Sequence, residues 1–164
     1  VAVAVDKPWS QACENNKAPI LEKLQLVLPA NARILEVGSG TGQHAVYFAE
    51  QMPGWRWQTG DQAQYHPGIQ QRLDDAGLEN VLVPVALDVR DYHWARKQYD
   101  AVFTANSLHI MSLESAQHFL RAVSAALQPG GLFIAYGPFN YQGAYTSESN
   151  ARFDQWLKQQ HPQS

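Results

Sequence analysis

The stretch Arg33-Ile34-Leu35-Glu36-Val37-Gly38-Ser39-Gly40-Thr41-Gly42-Gln43 constrains this chain more than any other. Ile34, Leu35 and Val37 form the short apolar run of a buried strand. Glycines follow in alternate positions, and helical spacing begins after Gly42. A strand that feeds a glycine turn and then a helix makes a nucleotide site. The glycines let the backbone approach a ligand, and the first helical turn presents unpaired N–H groups to it. The dinucleotide fingerprint requires Gly-x-Gly-x-x-Gly. Gly38 and Gly40 fit it, but Gln43 occupies the third slot, Gly42 comes one position early, and the acid Glu36 precedes the turn.

Composition narrows the classes. With 164 residues the chain suits one domain and can bury a real core. It is 45% hydrophobic and 16% charged, an ordinary globular balance. The net charge is -3 with no basic run, which argues against nucleic acid as a partner, since phosphate contacts need clustered Lys and Arg. The single Cys13 excludes an internal disulfide and a Cys-rich metal site. The six His are scattered without ligand spacing, so no metal is expected. No apolar run approaches the ~20 residues of a membrane span, and Val1 to Val5 is too short for a signal core. The expectation is a cytoplasmic protein with no membrane partner.

Residues 1–15 carry no clear period. Ile20, Leu21, Leu24 and Leu28 recur at helical spacing, with Pro19 suited to the first helical position, Asn16 or Lys17 near the cap, and Pro29 as the stop. This helix covers one sheet face, and the polar triplet Glu14, Asn15 and Asn16 before it is a candidate wall of the nucleotide site. After the glycine turn, Ala45, Val46, Ala49 and Met52 mark a helix face that ends at Pro53-Gly54. A second strand, Trp55 to Thr59, leads to Asp61, about 20 residues beyond Gly40. An acid at that distance accepts hydrogen bonds from ribose hydroxyls in Rossmann-type units. Ile69, Leu73 and Ala76 indicate the next helix, capped by Gly77. Val81 to Val85 is a third strand, and because Pro84 cannot donate to a ladder it should lie at the sheet edge or finish early; the edge is where the third strand of order 3-2-1-4-5 belongs.

Tyr99 to Thr104 reads as a fourth strand. A long helix then starts from Ser112 with Leu113, Ala116, Leu120, Val123 and Leu127 as its buried stripe. Pro129-Gly130-Gly131 turns the chain into a fifth strand, Leu132 to Tyr136. Strands alternating with helical connections imply a Rossmann-like, doubly wound parallel α/β sheet of order 3-2-1-4-5. Ligands of such sheets bind beyond the strand C-termini, at the switch point between strands one and four. Glu36 to Gly42, Asp61, Asp88, Asn106 to His109 and Gly137 to Tyr141 all fall at that end.

The glycine motif, Asp61, Asp88 and Leu127-Gln128-Pro129-Gly130-Gly131 together resemble the class I S-adenosylmethionine-dependent methyltransferases. Longer words resemble, more narrowly, the domain of unknown function 938 family. They include Asn16-Lys17-Ala18-Pro19-Ile20-Leu21, Ile34 to His44, Trp57-Gln58-Thr59-Gly60-Asp61, Asn106-Ser107-Leu108-His109-Ile110, Tyr136-Gly137-Pro138-Phe139 and Tyr145 to Asp154. The chain departs from that pattern at Asn15, where Arg is usual, and at Thr59-Gly60, where Pro-Ser is usual. The resemblance implies S-adenosylmethionine as cofactor. Its binding residues would be Asn16, Glu36, Gly38, Ser39, Gly40, Gly42, Asp61, Asp88, Val89 and Asn106, with Asp88 and the Val89 amide meeting the adenine.

That cofactor implies methyl transfer, for which the protein mainly orients an in-line attack. His109, after the fourth strand, is the candidate general base. The absence of an Asn/Asp-Pro-Pro-Tyr run or a Cys after that strand argues against amine or carbon methylation of nucleic acid, and the near-neutral charge with the aromatics near the chain's end suggests a small, partly apolar acceptor. The alternatives are a non-catalytic cofactor-binding protein and an NAD-dependent oxidoreductase. Class I methyltransferases usually add two further strands, and no alternating apolar run follows Tyr136. The expectation is therefore a single, C-terminally truncated domain lacking those strands. Its fifth strand would form an open edge through which copies could self-associate.

Overall fold

The protein is described here by a computed structural model, which describes residues 8–87, 96–105 and 113–137. The elements are α1 (Gln11–Val27), β1 (Arg33–Glu36), α2 (Gln43–Gln51), β2 (Arg56–Asp61), a 3-10 turn (Ala63–Tyr65), α3 (His66–Ala76), β3 (Val81–Ala86), β4 (Tyr99–Ala105), α4 (Leu113–Ala126) and β5 (Leu127–Tyr136). The strands form one parallel sheet of order β3-β2-β1-β4-β5. Among the described residues β3 is one edge, as Pro84 implies, and β5 is bonded only on its β4 side.

Strand alternation divides the core between the two faces. Ile34, Trp57 and Phe103 point to one face, where Leu24 of α1, Phe48 of α2 and Ile69 of α3 cover them. Leu35, Val102 and Phe133 point to the other, under Phe119 and Val123 of α4. The first face is built on aromatic rings. Phe48 meets Trp57 at 5.3 Å and Phe103 at 5.8 Å between centroids, in tilted and edge-on geometry. Such pairs add to the gain from burial alone.

Local structure differs from the sequence reading in four places. Helix α1 starts at Gln11, not Pro19: Ser10 is its N-cap, its Oγ accepting from the Cys13 N–H at 3.3 Å, and Pro19 lies inside the helix. Pro19 gives up one helical hydrogen bond there, and burial of Ile20, Leu21 and Leu24 carries the helix through it. Helix α2 turns Gln43, His44, Ala45, Phe48 and Ala49 inward, while Val46 and Met52 sit at the margin. Asp61 is the last residue of β2 rather than a loop residue beyond it. Strand β5 begins at Leu127, before the Pro129-Gly130-Gly131 stretch, and its register with β4 shifts between Tyr99 and Ala101. Gly131 has no room for a side chain, since an added Cβ would lie 2.9 Å from the Gln128 carbonyl oxygen.

Phe48 is fully buried and joins α2 to β2 and β4. Phe48→Ala should cost about 3–5 kcal/mol through lost burial and the cavity left behind. A urea titration of the variant beside the wild type reads that difference directly.

Candidate ligand site at the glycine turn

The turn between β1 and α2 follows from its glycines. Gly38, Gly40 and Gly42 have φ of 82°, 56° and 79°, a region costly for side-chain-bearing residues. A Cβ on Gly40 would find only the Gly38 carbonyl oxygen, at 4.0 Å, so that side of the turn is open space.

The turn is tied to β2 by a compact network. The N–H groups of Gly38 and Ser39 both donate to the Gly60 carbonyl at 2.9 Å. The Gly60 N–H donates to Ser39 Oγ at 2.9 Å, and that hydroxyl donates to Glu36 Oε1 at 2.8 Å. Trp57 Nε1 donates to the same carboxylate oxygen at 3.1 Å. Gly60 is glycine for want of space, because an added Cβ would lie 2.3 Å from Leu87 and 2.9 Å from the Glu36 carbonyl oxygen. Glu36 is only 1% exposed, and burial pushes its carboxyl up to about 7 against the opposing hydrogen bonds.

Asp61 lies on the other side of the turn. Its Oδ2 accepts from the Gly40 N–H at 2.8 Å and its Oδ1 from the Gln62 N–H at 2.7 Å. It borders a cleft of about 690 Å³ walled by Val37 to Thr41, His44, Tyr65, Leu87 and Ala105, with Ser10 and Cys13 on the N-terminal side. That volume suits a ligand of nucleoside size or larger. The cleft lies beyond the C-terminal ends of β1, β2 and β4, where the β1–β4 switch point directs ligands.

Of the residues singled out in the sequence, Gly38, Ser39, Gly40 and Asp61 meet in the cleft wall. Glu36 supports the turn through Ser39, and Gly42 is the α2 N-cap. Asn16 directs its Oδ1 to His44 Nε2 at 2.7 Å. Asn15 is exposed and accepts from the Gln11 side chain, and Glu14 accepts from Lys17 and Gln43. Asp88, Val89, Asn106, His109 and residues 138–164 lie outside the described residues. Among the described residues no group of three or more His, Cys, Asp or Glu could hold a metal, and no helix is long and apolar enough to cross a membrane.

The sequence reading missed two parts of the site. One is the segment from Pro8 to Cys13, which together with Glu14, already a candidate wall residue, clasps the turn. The Ser10 N–H donates to Gln43 Oε1 at 2.6 Å, and Gln43 Nε2 donates back to the Ser10 carbonyl at 3.2 Å and to Glu14 at 2.8 Å. Arg72 donates to the Thr41 and Pro8 carbonyls. Pro8 rests against Gly68, where an added Cβ would lie 2.8 Å from its ring. The other is His44, 5% exposed, stacked on Phe48 and held by burial at a pKa of about 4, well below the ordinary imidazole value. Ser10 as a helix cap was the available signal for the clasp. For His44, the signal was its place one residue into α2.

These two buried groups tilt stability in opposite directions with pH. Glu36 has a folded pKa above its unfolded value, so its contribution is full below about pH 4.5 and lost as pH rises through about 7. His44 has a folded pKa below its unfolded value, so its contribution is full above about pH 6.5 and lost as pH falls through about 4. Relative to wild type, Glu36→Gln should gain stability with rising pH between about 4.5 and 7. His44→Phe should lose it between about 4 and 6.5. Both slopes should be on the order of 1 kcal/mol per pH unit. Urea titrations across that range would show parallel curves if either group titrated normally.

Several solved structures described as methyltransferases share this architecture. The apo S-adenosylmethionine-dependent methyltransferase SibL superposes with a TM-score of 0.68 at 23% identity, covering 89% of this chain and 42% of its own. A SAM-dependent methyltransferase from Aquifex aeolicus gives a TM-score of 0.63 at 17% identity over 77% of this chain and 66% of its own. PKMT2 from Rickettsia typhi, in complex with AdoHcy, gives 0.57 at 22% over 73% of this chain. The chain spans less than half the length of SibL and 24% of PKMT2. These likenesses establish a Rossmann-like methyltransferase fold. The model of the family described as "Protein of unknown function (DUF938)" matches residues 7–164, and the chain belongs to that family.

Proposed function

We propose that the cleft binds S-adenosylmethionine and that the protein is a methyltransferase acting on a small-molecule acceptor. The observation that carries this reading is the Asp61 carboxylate, held against the Gly40 N–H at the edge of the cleft. An anionic acceptor fixed at the end of β2 suits a ribose diol. The open side of Gly40 leaves room for a ligand to lie against the backbone. The AdoHcy found in PKMT2, a protein of the same fold, supports the same ligand class here.

When bound, S-adenosylmethionine supplies an activated methyl group on a sulfonium. The residues of this chain then have the task of orientation. Gly38 to Gly40 would lie along the ligand, Asp61 would fix the ribose, and Asp88 and Val89 would take the adenine. Asn106 would complete the cofactor side. His109, following β4, is proposed to accept the acceptor's proton. The net charge of -3 is consistent with a small acceptor rather than nucleic acid. We also propose a cytoplasmic location, and self-association through the side of β5 away from β4.

Calorimetry with S-adenosylhomocysteine and with NAD tests the cofactor. The wild-type protein should bind the first and not the second. Asp61→Asn keeps the size of the side chain and an acceptor for Gly40 but loses the charge. It should weaken S-adenosylhomocysteine binding by about 1.5–3 kcal/mol, the scale of a hydrogen bond to a charged group. Unchanged affinity in this variant would remove the ribose role of Asp61, and binding of NAD alone would replace the cofactor.

A further inference from the structure

The segment Pro8 to Ser10 has no helix or strand of its own, and two side chains hold it in place. Gln43 grips the Ser10 backbone from α2, and Arg72 of α3 donates to the Pro8 carbonyl. Trp9, between them, is 59% exposed and has no hydrogen-bond or ring partner among the described residues. A segment with so few contacts belongs to the low-stability end of a fold, where local opening costs little. It nevertheless leads into Ser10, Ala12 and Cys13, which wall one side of the cleft.

Arg72 ties this segment to the glycine turn. Its Nε donates to the Thr41 carbonyl at 2.8 Å, and its Nη2 donates to the Pro8 carbonyl. Its stem lies along the turn, since a Cβ on Gly42 would meet Arg72 Cδ at 3.5 Å and Cβ at 3.6 Å. Arg72 makes no salt bridge among the described residues, so its printed partners are two neutral carbonyls. A cation spent in this way acts through geometry more than through charge. The N–H groups of a guanidinium are fixed in one planar fork, so the carbonyl that takes one of them aims the next. Thr41 thereby directs the grip on Pro8, 33 residues earlier in the chain. A ligand lying on the open side of Gly40 bears on that same turn.

We propose that Arg72 is a positioning residue that couples the glycine turn to the N-terminal wall of the cleft. A ligand that holds the turn in place also locks the Pro8–Ser10 segment, and the locked segment tightens the ligand by the same factor. The coupling rests on the reading of the cleft as an S-adenosylmethionine site. It adds a wall whose firmness depends on its occupant.

Amide hydrogen exchange on the full chain, read by NMR, tests the coupling. The Ser10 N–H reports the segment, being bonded to Gln43 Oε1 at 2.6 Å. The Leu28 N–H, bonded to the Leu24 carbonyl at the far end of α1, is the reference. In the wild type, saturating S-adenosylhomocysteine should slow Ser10 exchange at least ~10-fold relative to Leu28, within the usual range of coupling between sites. Arg72→Met keeps an apolar stem beside Gly42 and removes the fork, whereas Arg72→Lys keeps the charge alone. Both should bind the ligand at least ~5-fold more weakly, and in both the ligand-dependent slowing should shrink to within about twofold. Slowing that persists in either variant would overturn the assignment even if affinity falls, because a merely structural role lowers affinity and leaves the coupling. A wild type that binds S-adenosylhomocysteine without slowing Ser10 would overturn the coupling and leave the cofactor reading in place, with no variant required to fold. A wild type that does not bind it would overturn that reading, and the coupling with it.

Discussion

The Ser39 hydroxyl accepts a hydrogen bond from the Gly60 N–H and donates one to Glu36, joining the first strand, the glycine turn and the second strand at one atom. Everything at the ligand end of the sheet depends on this junction. It sets how far the turn stands above β1, and so where the Gly40 N–H meets Asp61. The hydroxyl suits the place because it donates and accepts at once. Gly60 suits it because any side chain there would strike Leu87 and the Glu36 backbone. The junction is almost wholly buried, and in that setting each hydrogen bond fixes position more firmly than it would at a surface.

The two acids of the motif divide their work by environment. Glu36 and Asp61 lie on either side of the same turn and repel each other, a minor contribution to the raised pKa of Glu36. Burial is the major one. Glu36 is shut in beneath the turn with Trp57 and Ser39, so its use is to hold the backbone. Asp61 is half-buried at the cleft, with both oxygens already aligned by backbone N–H groups. A carboxylate held in this way presents its remaining lone pairs in fixed directions, which is what recognition of a diol requires.

Much of this was legible in the sequence. Short apolar runs between helical periods set the strand order, because a parallel sheet with right-handed crossovers leaves few alternatives. Asp61 could be found because its distance from Gly40 is imposed by one helix and one strand. What escaped were features without a period. The Pro8–Glu14 clasp is made of backbone groups of Pro8 and Ser10, the Glu14 carboxylate, a glutamine and an arginine, which share no period, so that only Ser10 as a cap and Glu14 as a polar residue could point to it. Pro19 suggested a helix start because proline is favoured there, while the burial of Ile20 and Leu24 outweighed its missing N–H. His44 looked like an ordinary helical residue, and only its partner across 28 positions of sequence gives it a distinct chemistry.

The clasp also bears on how the chain is completed during synthesis. Ser10 leaves the ribosome well before Gln43, and Pro8 well before Arg72, yet these later residues are what hold the segment in place. Its partners thus arrive in two instalments, the first with α2 and the second with α3. Until the second has been made, one wall of the cleft has only part of its support. A nascent chain with β1 and the glycine turn already formed would still have a cleft open on its N-terminal side. The N-terminal wall would then be completed with the synthesis of α3 rather than with that of the glycine turn itself, and the far wall only later, with Leu87 and Ala105.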